Sequence, residues 1–152
     1  MAIKIVSFLS LLFSALALAP ALAHLLELPG KINLSRADYL TVQQIYRGWA
    51  LLGIVVAGAL FSTLALTIMS RHQSRAFAFA LIALLGIIGA QVVFWTYTFP
   101  ANQATSNWTF LPDNWQSLRT RWEYSHAAGA GLNLIALSAV IISVLTQKTD
   151  YQ

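Results

Sequence analysis

Four long apolar runs, separated by polar stretches, set the pattern of this 152-residue chain. They fall at about residues 4–26, 46–69, 76–99 and 124–146. Each holds roughly twenty residues or more, and at ~1.5 Å rise per residue each is long enough to cross a hydrocarbon core of ~30 Å as an α-helix. Apart from Arg47 near one end, no Asp, Glu, Lys or Arg interrupts the middle of a run. The loop from Ser70 to Arg75 is short, which makes the second and third helices antiparallel neighbours. The loops Glu27 to Ile45 and Pro100 to Glu123 are longer, and by spacing both lie at the opposite membrane face. Lipid offers the backbone no hydrogen bonds, so each span must satisfy its own. The expected fold is therefore all-α: a single membrane domain over 1–152, a four-helix bundle with a longer loop and an interfacial helix before the fourth span.

The first run has two readings. Lys4, the apolar stretch from Ile5 and the small-residue site Ala21-Leu22-Ala23 have the layout of a leader cut after Ala23. A retained helix is the expectation, because it lets His24 and Glu27 close the first span as a mirror of Glu123 and His126, which open the fourth. Pro20 removes one helical hydrogen bond, freeing the carbonyl of Leu16, and should bend that helix below His24.

Composition agrees with the pattern. The chain is 58% hydrophobic and 9% charged, with a mean hydropathy of +0.67, whereas soluble domains carry about 25% charged residues. It is read as an integral membrane protein of the plasma or inner membrane. With no cysteine it has no disulfide, thiolate nucleophile or sulfur metal ligand. Its net charge of +4 is scattered rather than clustered, which argues against nucleic acid and for contact with lipid headgroups. Lys4, Arg71, Arg75 and Lys148 lie on one side; Lys31, Arg36, Arg47, Arg119 and Arg121 on the other. All the acids except Asp150 share the second side, and both termini are expected in the cytoplasm.

His24-x-x-Glu27 and Glu123-x-x-His126 each place an imidazole and a carboxylate on one helical face. Such pairs can be interfacial caps that snorkel to water. Ionisable groups at membrane depth more often face the bundle interior and mark a functional site. Arg119, Glu123, His126, Ala130, Asn133 and Leu137 continue one stripe of the fourth helix, with an Arg119–Glu123 ion pair expected one turn apart. The run Ala127-Ala128-Gly129-Ala130-Gly131 reads as a close helix contact, with a substrate-sized gap as the alternative. Gln91, Trp95, Thr98 and Asn102 share a face of the third helix, and mid-span Gln91 should bond across to another helix or a ligand. Trp108, Trp115 and Trp122 recur every seven residues. Asp113 is a candidate cap for an interfacial helix running into the fourth span, whose apolar face, Trp115, Leu118 and Trp122, would form a lid over the His/Glu face.

The run Trp115, Leu118-Arg119, Arg121-Trp122-Glu123, His126, with Pro100, Asn102 and Trp108 before it and "AHLLELPGK" after the first span, resembles the anthrone oxygenase-like family of small four-span membrane proteins. Members often carry an Arg a few residues after that His, where this chain has Gly129 to Gly131. The resemblance implies oxidation of an anthrone- or quinol-like aromatic by molecular oxygen without an organic cofactor. For such chemistry a protein supplies a base, a dry pocket and donors to the developing enolate oxygen. His126 is the first candidate base, oriented by Glu123; His24 with Glu27 is the second. Arg119, Arg121, Asn102 or Gln91 would stabilise the oxyanion, the tryptophans would stack on the ring system, and Asn133 would extend the polar stripe.

Two other functions fit the same residues. His24, Glu27, Glu123 and His126 could hold a metal ion, as Glu-x-x-His pairs do in carboxylate-bridged bundles. The stripe could equally join the helices of a scaffold or small-molecule carrier without catalysis. Expected partners are membrane lipid and a hydrophobic aromatic molecule, not nucleic acid, with an oligomer left open. Intact mass of the purified protein checks the first helix: the full chain is expected, and loss of residues 1–23 would remove the four-helix reading.

Overall fold

The computed structural model describes residues 1–147. Lys148 and Asp150, counted above, lie outside the described residues. In chain order the elements are α1 (Ala2–Lys31), α2 (Arg36–Gln43), two single 3₁₀ turns (Gln44–Tyr46 and Trp49–Leu51), α3 (Leu52–Met69), α4 (Ser74–Val93), a π-helical turn (Phe94–Thr98), α5 (Phe99–Ala104) and α6 (Trp115–Leu145). Among the described residues there is no strand. Four spans are long and apolar enough to cross a membrane: Ala2–Lys31, Trp49–Met69, Ser74–Ala104 and Trp115–Leu145.

The spans form an up-down bundle in which α1 packs on α3 and α6, and α4 on α6 and α3. Its core is built from small residues that let helices approach. Leu66, Ala80, Ala83, Ala139 and Val140 form one layer, and Ala59, Ile87 and Ala136 the next. A Cβ on Gly86 would come 3.1 Å from the Leu132 carbonyl oxygen and 3.2 Å from the Ala136 Cβ, so hydrogen alone fits there without a shift. Exposed Leu, Ile and Phe side chains along all four spans, such as Phe8, Phe61, Leu85 and Ile135, form the surface that lipid covers.

Three helix boundaries differ from expectation, for related reasons. α1 runs unbroken through Pro20 and Pro29 to Lys31, rather than stopping at 26. α6 starts at Trp115, with the backbone entering through Asn114 and no side-chain cap, so Asp113 is not the cap, and the expected interfacial helix runs directly into the span as the first turns of α6. In both places the polar residues sit inside the helix because they find partners across the bundle. Ser74–Ala104 continues past Pro100 through the π turn, where the Phe99 N–H reaches back to the Phe94 carbonyl. Pro100 has no N–H to give Thr96, and widening the turn absorbs the mismatch. That widening also shifts the register, so Trp95 is exposed while Thr98 is buried. The four residues expected on one face of the third helix are therefore split.

α2 is a helix the hydrophobic pattern did not foresee. Ser35 accepts from the Asp38 N–H at 3.2 Å and donates to the Asp38 carboxylate at 2.6 Å, a capping exchange that starts a helix within the first long loop. Gly48, at φ +85°, then turns the chain into α3, a conformation an L side chain resists.

The Gly86 contact gives a stability test. Gly86→Leu should destabilise the bundle by roughly 1–3 kcal/mol or more through overpacking. Gly53→Ala, which meets open space, should stay within about 0.5 kcal/mol. Thermal unfolding in detergent reads both.

Candidate functional site

Because α1 and α6 are antiparallel neighbours, the last turns of one lie beside the first turns of the other. His24 and His126 meet there, stacked with ring centroids 4.0 Å apart and planes 26° from parallel. Tyr46 lies 4.5 Å from the His24 ring and Trp49 5.4 Å. Trp122 presents an edge contact to both imidazoles, at 5.0 Å from His24 and 4.2 Å from His126. His24 is 5% exposed and its buried Nδ1 has no hydrogen-bond partner. His126 is half-buried, and its ring nitrogens make no hydrogen bond among the described residues.

The carboxylates turn the other way. Lys31, 4% exposed, places its Nζ 3.2 Å from Glu27 Oε2 and 3.3 Å from Glu123 Oε2. It also donates to the Tyr46 hydroxyl at 2.7 Å, and Tyr46 in turn donates to Glu27. Its ammonium lies 4.8 Å from the Tyr46 ring centroid and 5.1 Å from that of Trp122. Glu123 is fully buried, and its second oxygen accepts from the Tyr39 hydroxyl at 3.0 Å, which itself accepts from Gln43 Nε2 at 2.5 Å. The Lys31–Glu123 contact is ionic without hydrogen-bond alignment, since Glu123 Oε2 has no hydrogen-bond partner. Burial, then the Glu123 carboxylate, holds the Tyr39 phenol well above its usual range; burial, then the hydrogen bond to Glu27, does the same for Tyr46. Both hydroxyls are neutral donors to carboxylates.

The two i,i+3 motifs therefore exchange partners: imidazole stacks on imidazole, and carboxylates share an ammonium. Glu123 does not orient His126, and Arg119 does not pair with Glu123. Arg119 instead donates to the Leu34 carbonyl at 2.8 Å and stacks over Trp115 at 4.6 Å and Tyr39 at 5.4 Å.

The roof of the site is an aromatic cluster of Tyr39, Ala101, Trp108, Leu111, Trp115 and Trp122. Asn102 ties it together, its side-chain oxygen accepting from the indoles of Trp108 at 3.0 Å and Trp122 at 2.8 Å. Ser106, Asn107 and Trp108 are all left-handed, at φ 49°, 55° and 60°, each costing roughly 1–2 kcal/mol. Hydrogen bonds from Asn107 N–H to the Asn102 carbonyl (2.7 Å) and from Trp108 N–H to Thr105 Oγ1 (3.1 Å) hold them. Trp122 thus borders the imidazoles, with Trp108 behind it at 5.7 Å. Trp115 is one layer away against Tyr39, and α2 covers this end together with the first turns of α6.

Several expected residues fall elsewhere. Arg121 is exposed, 5.8 Å from the Tyr97 ring. Half-buried Gln91 makes no interhelical hydrogen bond among the described residues. Asn133 bonds the Gly129 carbonyl of its own helix at 2.9 Å. A Cβ on Gly129 or Gly131 would meet nothing within 4 Å, so these glycines are not close helix contacts, although Ala130 between them is fully buried. Lys31, Tyr39, Gln43, Tyr46 and Trp49 were not foreseen as site residues. Their signal was present: Lys31 is four residues from Glu27, and Tyr39, Gln43 and Tyr46 recur at helical spacing behind the Ser35-x-x-Asp38 cap.

The metal alternative meets a specific obstacle. Among the described residues no group of three or more His, Asp and Glu side chains is placed to hold an ion. The Lys31 ammonium stands between the two carboxylates that would have to ligate one.

Removing that ammonium tests the network. Lys31→Met should cost about 3–5 kcal/mol by leaving buried carboxylate uncompensated, and adding Glu123→Gln should recover part of it. Detergent unfolding curves of the single and double variants check this; no recovery would mean the two side chains are not coupled.

No protein family, curated protein or solved structure matches this chain, so what it does has to be read from its side chains.

Proposed function

We propose that this small multi-pass membrane protein binds a flat, hydrophobic aromatic molecule beside the stacked imidazoles and draws a proton from it, the cofactor-independent oxygenase chemistry of the anthrone oxygenase-like resemblance. One observation carries the reading: His24 and His126 stack inside a box of Tyr46, Trp49 and Trp122 with ring nitrogens left unused. A membrane protein gains little by burying the unbonded His24 Nδ1 for packing alone, since an unpaired buried polar atom costs free energy. His126 is the more accessible of the two, being half-buried where His24 is 5% exposed. It is the base in this scheme, and His24 shares its ring face.

The chemistry balances without a cofactor. An imidazole nitrogen takes a proton from an activated CH₂ between two rings, leaving a delocalised carbanion. That carbanion passes electrons to O₂ and bonds to it as a peroxide, which regains the proton. Loss of water then breaks the O–O bond and leaves a carbonyl. The carbon is oxidised and the oxygen reduced. In this reading the termini lie in the cytoplasm and the imidazole pair lies near the opposite leaflet.

A second reading has its own observation. The Glu27–Lys31–Glu123 network, with Tyr39 and Tyr46, is largely satisfied by its own members, as a clasp joining α1, α2 and α6 in a non-catalytic scaffold or carrier would be. His126→Gln separates the two. Oxygen uptake with a panel of anthrones and quinols should fall by roughly 10²–10⁴ while aromatic-ligand binding survives. A clasp instead predicts no uptake by either protein. His72→Gln, in the exposed loop at the other end of the bundle, is the matched control and should change nothing.

A further inference from the structure

At the same end of the bundle, outside the imidazole box, lies a shallow depression of about 330 Å³ lined by Leu40, Thr41, Gln44, Arg47 and Thr109. Arg47 is its one cation, and no acid lines it. The guanidinium is exposed and makes no hydrogen bond, ion pair or ring contact among the described residues. Its five N–H groups are therefore free, in a geometry that suits a phosphate. The other polar atoms of the depression have committed their hydrogens: Thr41 donates to the Ala37 carbonyl, Thr109 to the Ser106 carbonyl, and Gln44 Nε2 to the carbonyls of Leu40 and Trp108. The two threonine hydroxyls consequently present acceptors. An occupant matching this surface carries one negative charge for Arg47 and hydroxyl donors for the threonines.

Its surroundings say where such an occupant comes from. Arg47 precedes the span Trp49–Met69 by two residues, which sets it at headgroup depth. Ile45 and Leu51, near Arg47 in sequence, and Phe110, next to Thr109, are 57%, 73% and 58% exposed, apolar surface that water would not favour but acyl chains would. We infer that this depression binds the headgroup of an anionic, hydroxyl-bearing phospholipid of the phosphatidylglycerol type, with the phosphodiester on Arg47. Such a lipid bridges α2 to the loop carrying Trp108, and so braces two elements that roof the imidazole pair. This site does not depend on whether the pair is catalytic.

Native mass spectrometry of the detergent-purified full chain tests it, with phosphatidylglycerol, phosphatidylcholine and sn-glycerol 3-phosphate as probes. The wild type should retain one phosphatidylglycerol in preference to phosphatidylcholine. Arg47→Gln should weaken that binding about tenfold or more, the loss of one charge-assisted hydrogen bond, and Thr109→Val should weaken it less. Arg121→Gln, an exposed cation on the same face, should leave it unchanged. Equal losses in the Arg47 and Arg121 variants would mean diffuse attraction to charge and overturn the site. So would an unaffected Arg47→Gln protein, or glycerol phosphate competing as well as the lipid.

Discussion

A lysine ammonium buried inside a membrane bundle must be neutralised where it stands. Taking such an ion out of water costs several kcal/mol even after relaxation, and Lys31 is almost wholly buried. That requirement fixes much of the upper half of the protein. It draws Glu27 of its own helix and Glu123 of the last helix to one point and recruits the Tyr46 hydroxyl. Through Glu123 it also anchors Tyr39, and with Tyr39 the whole of α2. With the carboxylates so engaged, the imidazoles one turn away are left to face each other. The charge cluster thus sets where the two rings meet, and it leaves the buried His24 Nδ1 without a partner.

Much of the fold was legible in the hydrophobic pattern, because a span of apolar residues in lipid has few alternatives to a helix. The all-helical class, the four spans and the alternating topology follow from that constraint. The convergence of His24 with His126 followed as well, since two motifs at mirrored ends of antiparallel neighbours are brought to one level. What pattern alone could not supply was the partner of each side chain. Spacing put Arg119 one turn from Glu123, yet Glu123 belongs to Lys31, which a reading by helix faces had left in a loop. The register break at the π turn was hidden for a similar reason. Pro100 could end a helix or widen one, and only packing against α6, where Thr98 meets Ser125 at 2.7 Å, decides for continuation.

The roof shows a different economy. Three successive left-handed residues would be costly in isolation, but they let one asparagine oxygen receive two indoles at once. A helix or an ordinary turn at Ser106–Trp108 would aim Trp108 elsewhere and leave the Trp122 indole as the sole donor to Asn102. The strain is local, and it buys a fixed orientation for the aromatic wall beside the imidazoles.

The pairing of the first helix with the last has a consequence for biosynthesis. Lys31 and Glu27 leave the ribosome and meet the bilayer long before Glu123 has been made. Their spacing of four residues lets them neutralise each other in the nascent helix, so the first span can enter the membrane carrying both. Glu123 has Arg119 one turn away for the same purpose, but in the folded protein Arg119 turns to the Leu34 carbonyl and Glu123 takes Lys31, which waits in a helix already inserted. Assembly of the charge cluster is thus the closing event of membrane integration, and the protein acquires its imidazole pair only when the final span is docked.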